Sequence, residues 1–260
     1  MAATLSTREL LEFAAEAAWQ AGRATLAHFQ APLEVERKPD DSPVTIADRT
    51  AEQILRGWIE ERFPRHAILG EEQGQAPDKD SSYRWILDPI DGTQSFIRGV
   101  PLYGVLVGLE VSGEMLLGVA HFPALGEMFA AARGEGCRWN GRPARVSGVS
   151  RLEEALLAYS DARDLAGKSS SAWSRLQKVT RLQRGFPDCY GHCLVASGRA
   201  EVMLDAHMSP WDCAALLPIL REAGGTFTDW KGETTIEGGD AFSTNGILFQ
   251  PSLEILSSQD

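Results

Sequence analysis

Three aspartates carry most of the chemistry this sequence can offer: Asp88 and Asp91 in Trp85-Ile86-Leu87-Asp88-Pro89-Ile90-Asp91-Gly92-Thr93, and Asp212 behind Trp211. Each sits where an apolar run stops. Two carboxylates three apart on a turn point at one place, the proline between them stiffens that turn, and the Ile90 carbonyl is left without an obvious ladder partner. Hard divalent cations take oxygen ligands of this kind, and such ions serve phosphate chemistry. Gly92 lets the backbone approach an anion closely, and Thr93 offers both an N–H and a hydroxyl. A solvated Asp-Pro-x-Asp-Gly surface turn is the plain alternative.

Other acidic residues have similar double readings. Gly70-Glu71-Glu72 follows the apolar Ala67-Ile68-Leu69 and sets a second acidic pair at a strand end, although adjacent loop glutamates are usually just solvated. Asp48 completes a Thr45-x-x-Asp48 capping box, yet a cap also fixes a carboxylate well enough to take a proton from a hydroxyl. Asp212 opens a helix, where negative charge suits the dipole without any metal, and Asp205 closes Val202-Met203-Leu204 as an ordinary strand end. The five histidines lack zinc spacing, and neither a G-x-S-x-G elbow nor a Walker loop is present.

Such residues need rigid supports, which the hydrophobic periodicity supplies. Ser6 and Glu9 form a capping-box pair ahead of Leu10, Phe13, Ala14, Ala17 and Ala21, a helix expected to end before Pro32. A second helix is expected from near Thr45 to Pro64, then a strand at 67–69. Past a polar loop around 75–82, a short strand at 83–87 delivers Asp88 to a turn. Segments 103–111, 115–122 and 127–132 read as an antiparallel meander. Beyond it, 200–204 reads as extended, 212–223 as a helix closed by Gly224-Gly225, and 246–249 as a late strand. A soft boundary near 141 divides an N-terminal α+β half, 1–141, from a C-terminal α/β half, 142–260.

Composition narrows the partners. The chain has 260 residues, 43% hydrophobic and 23% charged, enough for one large domain or two intimately packed halves. A net charge of -11 without a Lys/Arg cluster argues against nucleic acid. Four cysteines without CxxC spacing read as reduced core thiols. No basic-then-apolar leader opens the sequence and no window reaches the length of a membrane span, so a cytoplasmic protein without membrane contact is expected.

Taken together, these segments resemble the inositol monophosphatase superfamily of Mg2+-dependent sugar- and alcohol-phosphate phosphatases. The resemblance runs through Lys38, Val44-Thr45-x-x-Asp48, Gly70-Glu71-Glu72, the 85–93 motif to Phe96, and Trp211-Asp212-Cys213-Ala214-Ala215 to Gly224-Gly225. Leu216 departs from it, standing where a small residue is usual. The resemblance implies a mixed α/β (α+β) fold, a layered αβαβα sandwich, and a homodimer. It also implies that Glu71, Asp88, Asp91, Asp212 and the Ile90 carbonyl hold two or three Mg2+ ions. Thr93 paired with Asp48, together with Glu71, would activate the attacking water, and the Gly92 and Thr93 N–H groups would hold phosphate oxygens. No cation besides the metal is singled out among these carboxylates.

Within the superfamily, Gln94-Ser95-Phe96-Ile97-x-Gly99-x-Pro101-Leu102-Tyr103-Gly104 and Asp188-Cys189-Tyr190-Gly191 look more like the histidinol-phosphatase branch. Asp188 and Asp205 would then suit the amine and imidazole of histidinol phosphate, an intermediate of histidine biosynthesis. The same Asp205 position holds a sugar-binding carboxylate in inositol phosphatases. An inositol-1-monophosphatase, or a broad sugar or nucleotide phosphatase, is the runner-up. A catalytically idle metal-binding interaction protein is the reading from another class.

Overall fold

The computed structural model describes residues 5–39, 41–75, 82–185 and 188–257, so most of the loop expected around 75–82 lies outside the described residues. Both capping boxes form. Ser6 caps α1 (Thr7–Leu26), its N–H donating to Glu9 Oε2 at 2.8 Å, and Thr45 with Asp48 starts α2 (Ile46–Arg62). The apolar stripes of these helices, Leu10, Ala14, Ala17 and Ala21 on one and Ala51, Leu55 and Ile59 on the other, pack together over one face of a sheet.

A short pair, β1 (Glu36–Arg37) and β2 (Pro43–Val44), precedes that sheet. Its strands are β3 (Ala67–Gly70), β4 (Gly74–Gln75), β5 (Tyr83–Asp91), β6 (Gly104–Val111), β7 (Glu114–Phe122), β8 (Glu127–Ala132), β9 (Gly136–Trp139) and β10 (Arg142–Pro143). Their spatial order is β10-β9-β8-β7-β6-β5-β3-β4, and the one-turn helix α3 (Thr93–Phe96) follows β5. β5 is longer than its apolar run implies: Asp88 does not enter a turn but continues as extended chain. Pairing with β6 slips between Asp88 and Asp91, because Pro89 has no N–H for the ladder and the strand passes it as a bulge.

The second sheet holds β11 (Leu156–Tyr159), β12 (Leu182–Gly185), β13 (Val202–Asp205), β14 (Thr226–Thr228) and β15 (Ala241–Thr244), in the order β12-β11-β13-β15-β14. Its helices are α4 (Ala162–Val179), α5 (Cys189–Ala196), α6 (Pro210–Ala214), α7 (Leu216–Glu222) and α8 (Phe249–Ser257). α5, α6 and α7 fill the space between the sheets, in a core that joins Ile86, Leu106 and Phe122 to Met203 and Phe227. α4 and α8 cover the outer face of the second sheet around Trp173, Leu176, Val202 and Phe242. The layers therefore run αβαβα, as expected. Cys137, Cys189, Cys193 and Cys213 are buried free thiols.

Two further local expectations are corrected. The single helix at 212–223 is two helices, α6 and α7, which meet at Ala215. The segment 246–249 is not a strand: β15 ends at Thr244, Gly246 takes φ of 80°, and Asn245 Oδ1 accepts the Leu248 N–H at 3.0 Å. The Asn-Gly step turns the chain there, and α8 begins at Phe249.

Candidate active site

β5 ends in Asp91 and β13 ends in Asp205, while α5 and α6 start at Asp188 and Ser209. One carboxylate oxygen from each of Asp88, Asp91 and Asp212 lies within 4.8 Å of the others. Backbone donors aim all three. Asp88 Oδ1 accepts the Ile90 N–H at 3.0 Å across the bulge, and Asp91 Oδ1 accepts the Cys189 N–H at 3.0 Å from the start of α5. Asp212, in the first turn of α6, takes the Ser209 N–H on Oδ2 at 2.7 Å.

Crowding anions in a buried site costs free energy, and the pKa values record it. Burial, then the charges of Glu71, Asp91 and Asp212, raises Asp88 well above the usual carboxylate range. Burial, then Asp188 and Asp212, does the same to Asp91. Burial pushes Asp212 up to about 6 against the Ser209 hydrogen bond, and burial with the charges of Asp205 and Asp212 pushes Asp188 up to about 7. Carboxylates that resist ionising together form an all-oxygen donor set that a hard divalent cation relieves, so the residues present fit Mg2+.

Glu71 belongs to the same cluster: its charge raises Asp88, and burial raises Glu71 in turn. Lys38 belongs to it as well, a cation that the resemblance includes but to which the sequence assigns no role. Its Nζ donates to Glu71 Oε1 at 2.8 Å and to Glu72 Oε1 at 2.7 Å. Burial acts to lower the Lys38 pKa, but the two carboxylates outweigh it and leave the ammonium more firmly charged than usual. Burial also pushes Glu72 up to about 7.

Asp48 does serve as a cap, its Oδ2 accepting the Thr45 N–H at 2.8 Å and the Thr45 hydroxyl at 2.6 Å. Its Oδ1 is buried without a hydrogen-bond partner among the described residues, and burial raises its pKa. The Thr93 hydroxyl donates to the Ile90 carbonyl at 3.0 Å, so that carbonyl is engaged and Thr93 does not pair directly with Asp48. Gly92 precedes α3 at φ of 82°, and a Cβ there would stand 2.8 Å from Asp188 Oδ2. A side chain is excluded twice over, by conformation and by space.

Asp188 itself takes φ of 60°, an uncommon conformation for a non-glycine residue. Asp205 lies beside it, close enough for its charge to raise both Asp188 and Asp212, and its Oδ2 faces His192 Nε2 at 3.4 Å. Sequence reasoning gave no role to Lys38 or His192. The one signal for His192 was its helical spacing from Asp188, which a core residue shares.

Residues 6–256 match the model of the inositol monophosphatase family. The chain is 48% identical to the histidinol-phosphatase of Chlorobaculum parvum over 241 residues, 92% of this chain and 93% of that protein. It is 32% identical to the inositol-1-monophosphatase of Mesorhizobium japonicum over 92% of each. The crystal structure of extragenic suppressor protein suhB from Bartonella henselae aligns with a TM-score of 0.90 at 30% identity, covering 97% of this chain and 100% of that one. Kinship on this scale leaves little of the chain outside it: the protein belongs to the inositol monophosphatase family, a family of phosphatases.

Proposed function

We propose that the protein hydrolyses phosphate monoesters at the Asp88, Asp91 and Asp212 cluster and that its preferred substrate is histidinol phosphate. The convergence of three carboxylate oxygens within 4.8 Å of one another carries the reading. Glu71, Asp88, Asp91, Asp212 and the Ile90 carbonyl would hold two or three Mg2+ ions. Bound Mg2+ lowers the pKa of a ligand water, screens the anionic ester from the carboxylates and stabilises the leaving alkoxide.

The remaining tasks fall to the chain. The Gly92 and Thr93 N–H groups hold phosphate oxygens at the start of α3. Thr93 orients the attacking water, and Asp48 Oδ1, buried and without a partner among the described residues, is the acceptor for its proton. Lys38, in direct contact at 2.8 Å, favours the ionised form of Glu71 against the burial that raises it. Asp188 and Asp205 receive the substrate's cationic end. Burial first and then repulsion raise Asp188; an amine there relieves the repulsion, whereas a neutral polyol does not.

The 48% identity to a histidinol-phosphatase, against 32% to an inositol-1-monophosphatase, supports the same choice. Inositol-1-phosphate is the runner-up, with Asp205 accepting from a ring hydroxyl. The proposal includes a homodimer in the cytoplasm; no helix among the described residues is long and apolar enough to cross a membrane.

A phosphate-release panel in Mg2+ over histidinol phosphate, inositol-1-phosphate, fructose bisphosphate and adenosine bisphosphate tests the proposal. The highest kcat/KM is expected with histidinol phosphate. Asp188→Asn and Asp205→Asn should each raise KM for that ester by about tenfold, the scale of a lost charge-assisted hydrogen bond, and spare inositol-1-phosphate. A wild-type preference for inositol-1-phosphate would transfer the assignment to the runner-up.

A further inference from the structure

One buried helix joins the carboxylates of the metal side to those of the substrate side. α5 has Asp188 at its N-cap and places the Cys189 N–H on Asp91 Oδ1 at 3.0 Å. Three residues further on, it sets His192 behind Asp205. All eight residues of α5 are buried, and His192 has no exposed surface to offer an ester. The helix is seated closely on β13: a Cβ at Gly191 would stand 2.5 Å from Met203 Sδ. The Phe227 ring packs against the imidazole with centroids 5.4 Å apart.

The two ring nitrogens have different partners. Nδ1 lies 2.6 Å from Ser243 Oγ on β15, and Nε2 lies 3.4 Å from Asp205 Oδ2 on β13. Neither His192 Nε2 nor Asp205 Oδ2 has a hydrogen-bond partner among the described residues: at 3.4 Å the two atoms face each other as a close contact rather than a formed hydrogen bond. Buried polar atoms left unpaired are costly, so these two are each other's natural partners. A neutral imidazole has one N–H and one lone pair, and an ionised carboxylate only accepts. The tautomer that lets both facing atoms pair carries its proton on Nε2, with Nδ1 accepting from the Ser243 hydroxyl.

We propose that His192 is the positioning residue of the substrate pocket: the chain Ser243 to His192 to Asp205 fixes the direction of the Asp205 carboxylate and thereby sets selectivity for amine-bearing phosphate esters over neutral ones. This rests on the reading of Asp205 as a substrate contact. A carboxylate held from behind at one oxygen keeps the other in a set direction, which matters for a directional amine contact more than for an adaptable ring hydroxyl.

The test compares His192→Asn, too short to reach Asp205, with His192→Gln, whose amide N–H takes the place of Nε2, and with Ser243→Ala. Steady-state kinetics with histidinol phosphate and inositol-1-phosphate are read beside melting scans, with Asp205→Asn as reference. In His192→Asn, KM for histidinol phosphate should rise about tenfold while kcat and the inositol-1-phosphate KM stay within about twofold, and His192→Gln should restore most of the selectivity. Imidazole 15N NMR of the wild type should find neutral His192 protonated on Nε2, and Ser243→Ala should move part of that proton to Nδ1.

An equal rise for both esters, an unchanged histidinol phosphate KM, or a wild-type proton on Nδ1 would overturn the proposal. If His192→Asn does not fold, Ser243→Ala decides: a loss of selectivity supports the chain, and none refutes it. If Asp205→Asn leaves the ratio of the two esters unmoved, the substrate reading fails and takes this inference with it. If Asp205→Asn moves the ratio and His192→Asn does not, the substrate reading stands and His192 is an ordinary core residue.

Discussion

Asp48 holds two positions at once, and one substitution separates them. Its Oδ2 closes the capping box of α2, while its Oδ1 is buried and has no partner among the described residues. Asp48→Asn retains an acceptor oxygen for the cap, so stability should fall by at most about 1 kcal/mol. Turnover should collapse, because an amide takes up no proton. Intact turnover with lost stability would leave Asp48 as a cap alone. The residues legible in the sequence are those of this local kind: Thr45 and Asp48 three apart, and Asp88 and Asp91 three apart around a proline. Lys38 was not legible as a contact, since it meets Glu71 across 33 positions and a lysine in a turn has no periodic signature. His192 was hidden for the opposite reason, because inside an apolar helix it reads as core, and its partners Asp205 and Ser243 come from other strands.

Elements were legible where local chemistry decides them and obscure where distant partners do. The capping boxes of α1 and α2 involve residues three apart, and the meander is punctuated by its own turns. The bulge in β5 depends on how β6 pairs across Pro89, and the meeting of α6 and α7 lies against β7. That last contact is tight: a Cβ at Gly118 would stand 2.1 Å from the Ala215 carbonyl oxygen. Backbone cannot give way as a flexible side chain does, so Gly118→Ala should cost about 1–3 kcal/mol by overpacking. A lower denaturant midpoint with an unchanged slope is the expected result. An unchanged midpoint would show that the two layers are not locked together there.

For the whole molecule, the periodicity gave strands and helices but not their stacking; the five layers came through the family resemblance, because the order of a sheet depends on crossovers that no local pattern records. The global consequence of the acidic site is a coupling between stability, pH and metal. Burial, with the neighbouring carboxylates, pushes Asp212 up to about 6 and Asp188 up to about 7, above the ordinary aspartate value. Each therefore favours the fold when protonated, a contribution complete below about pH 4 and lost as pH rises through those values. In EDTA, Tm should fall between about pH 4 and about pH 7, and Mg2+ should restore it most at the upper end, where the ligands are ionised. A Tm in EDTA that rises with pH over that range would contradict this. The most direct test of the central claim is a Mg2+ titration of wild type and Asp91→Asn, following binding heat and phosphate release from histidinol phosphate on the same samples. Asp91→Asn keeps an acceptor for the Cys189 N–H and removes one charge from the donor set. The account predicts saturable Mg2+ binding with parallel activity in the wild type, and in folded Asp91→Asn weakened binding and a loss of turnover of about a hundredfold or more. Full activity in EDTA, or near-normal turnover by Asp91→Asn, would contradict it.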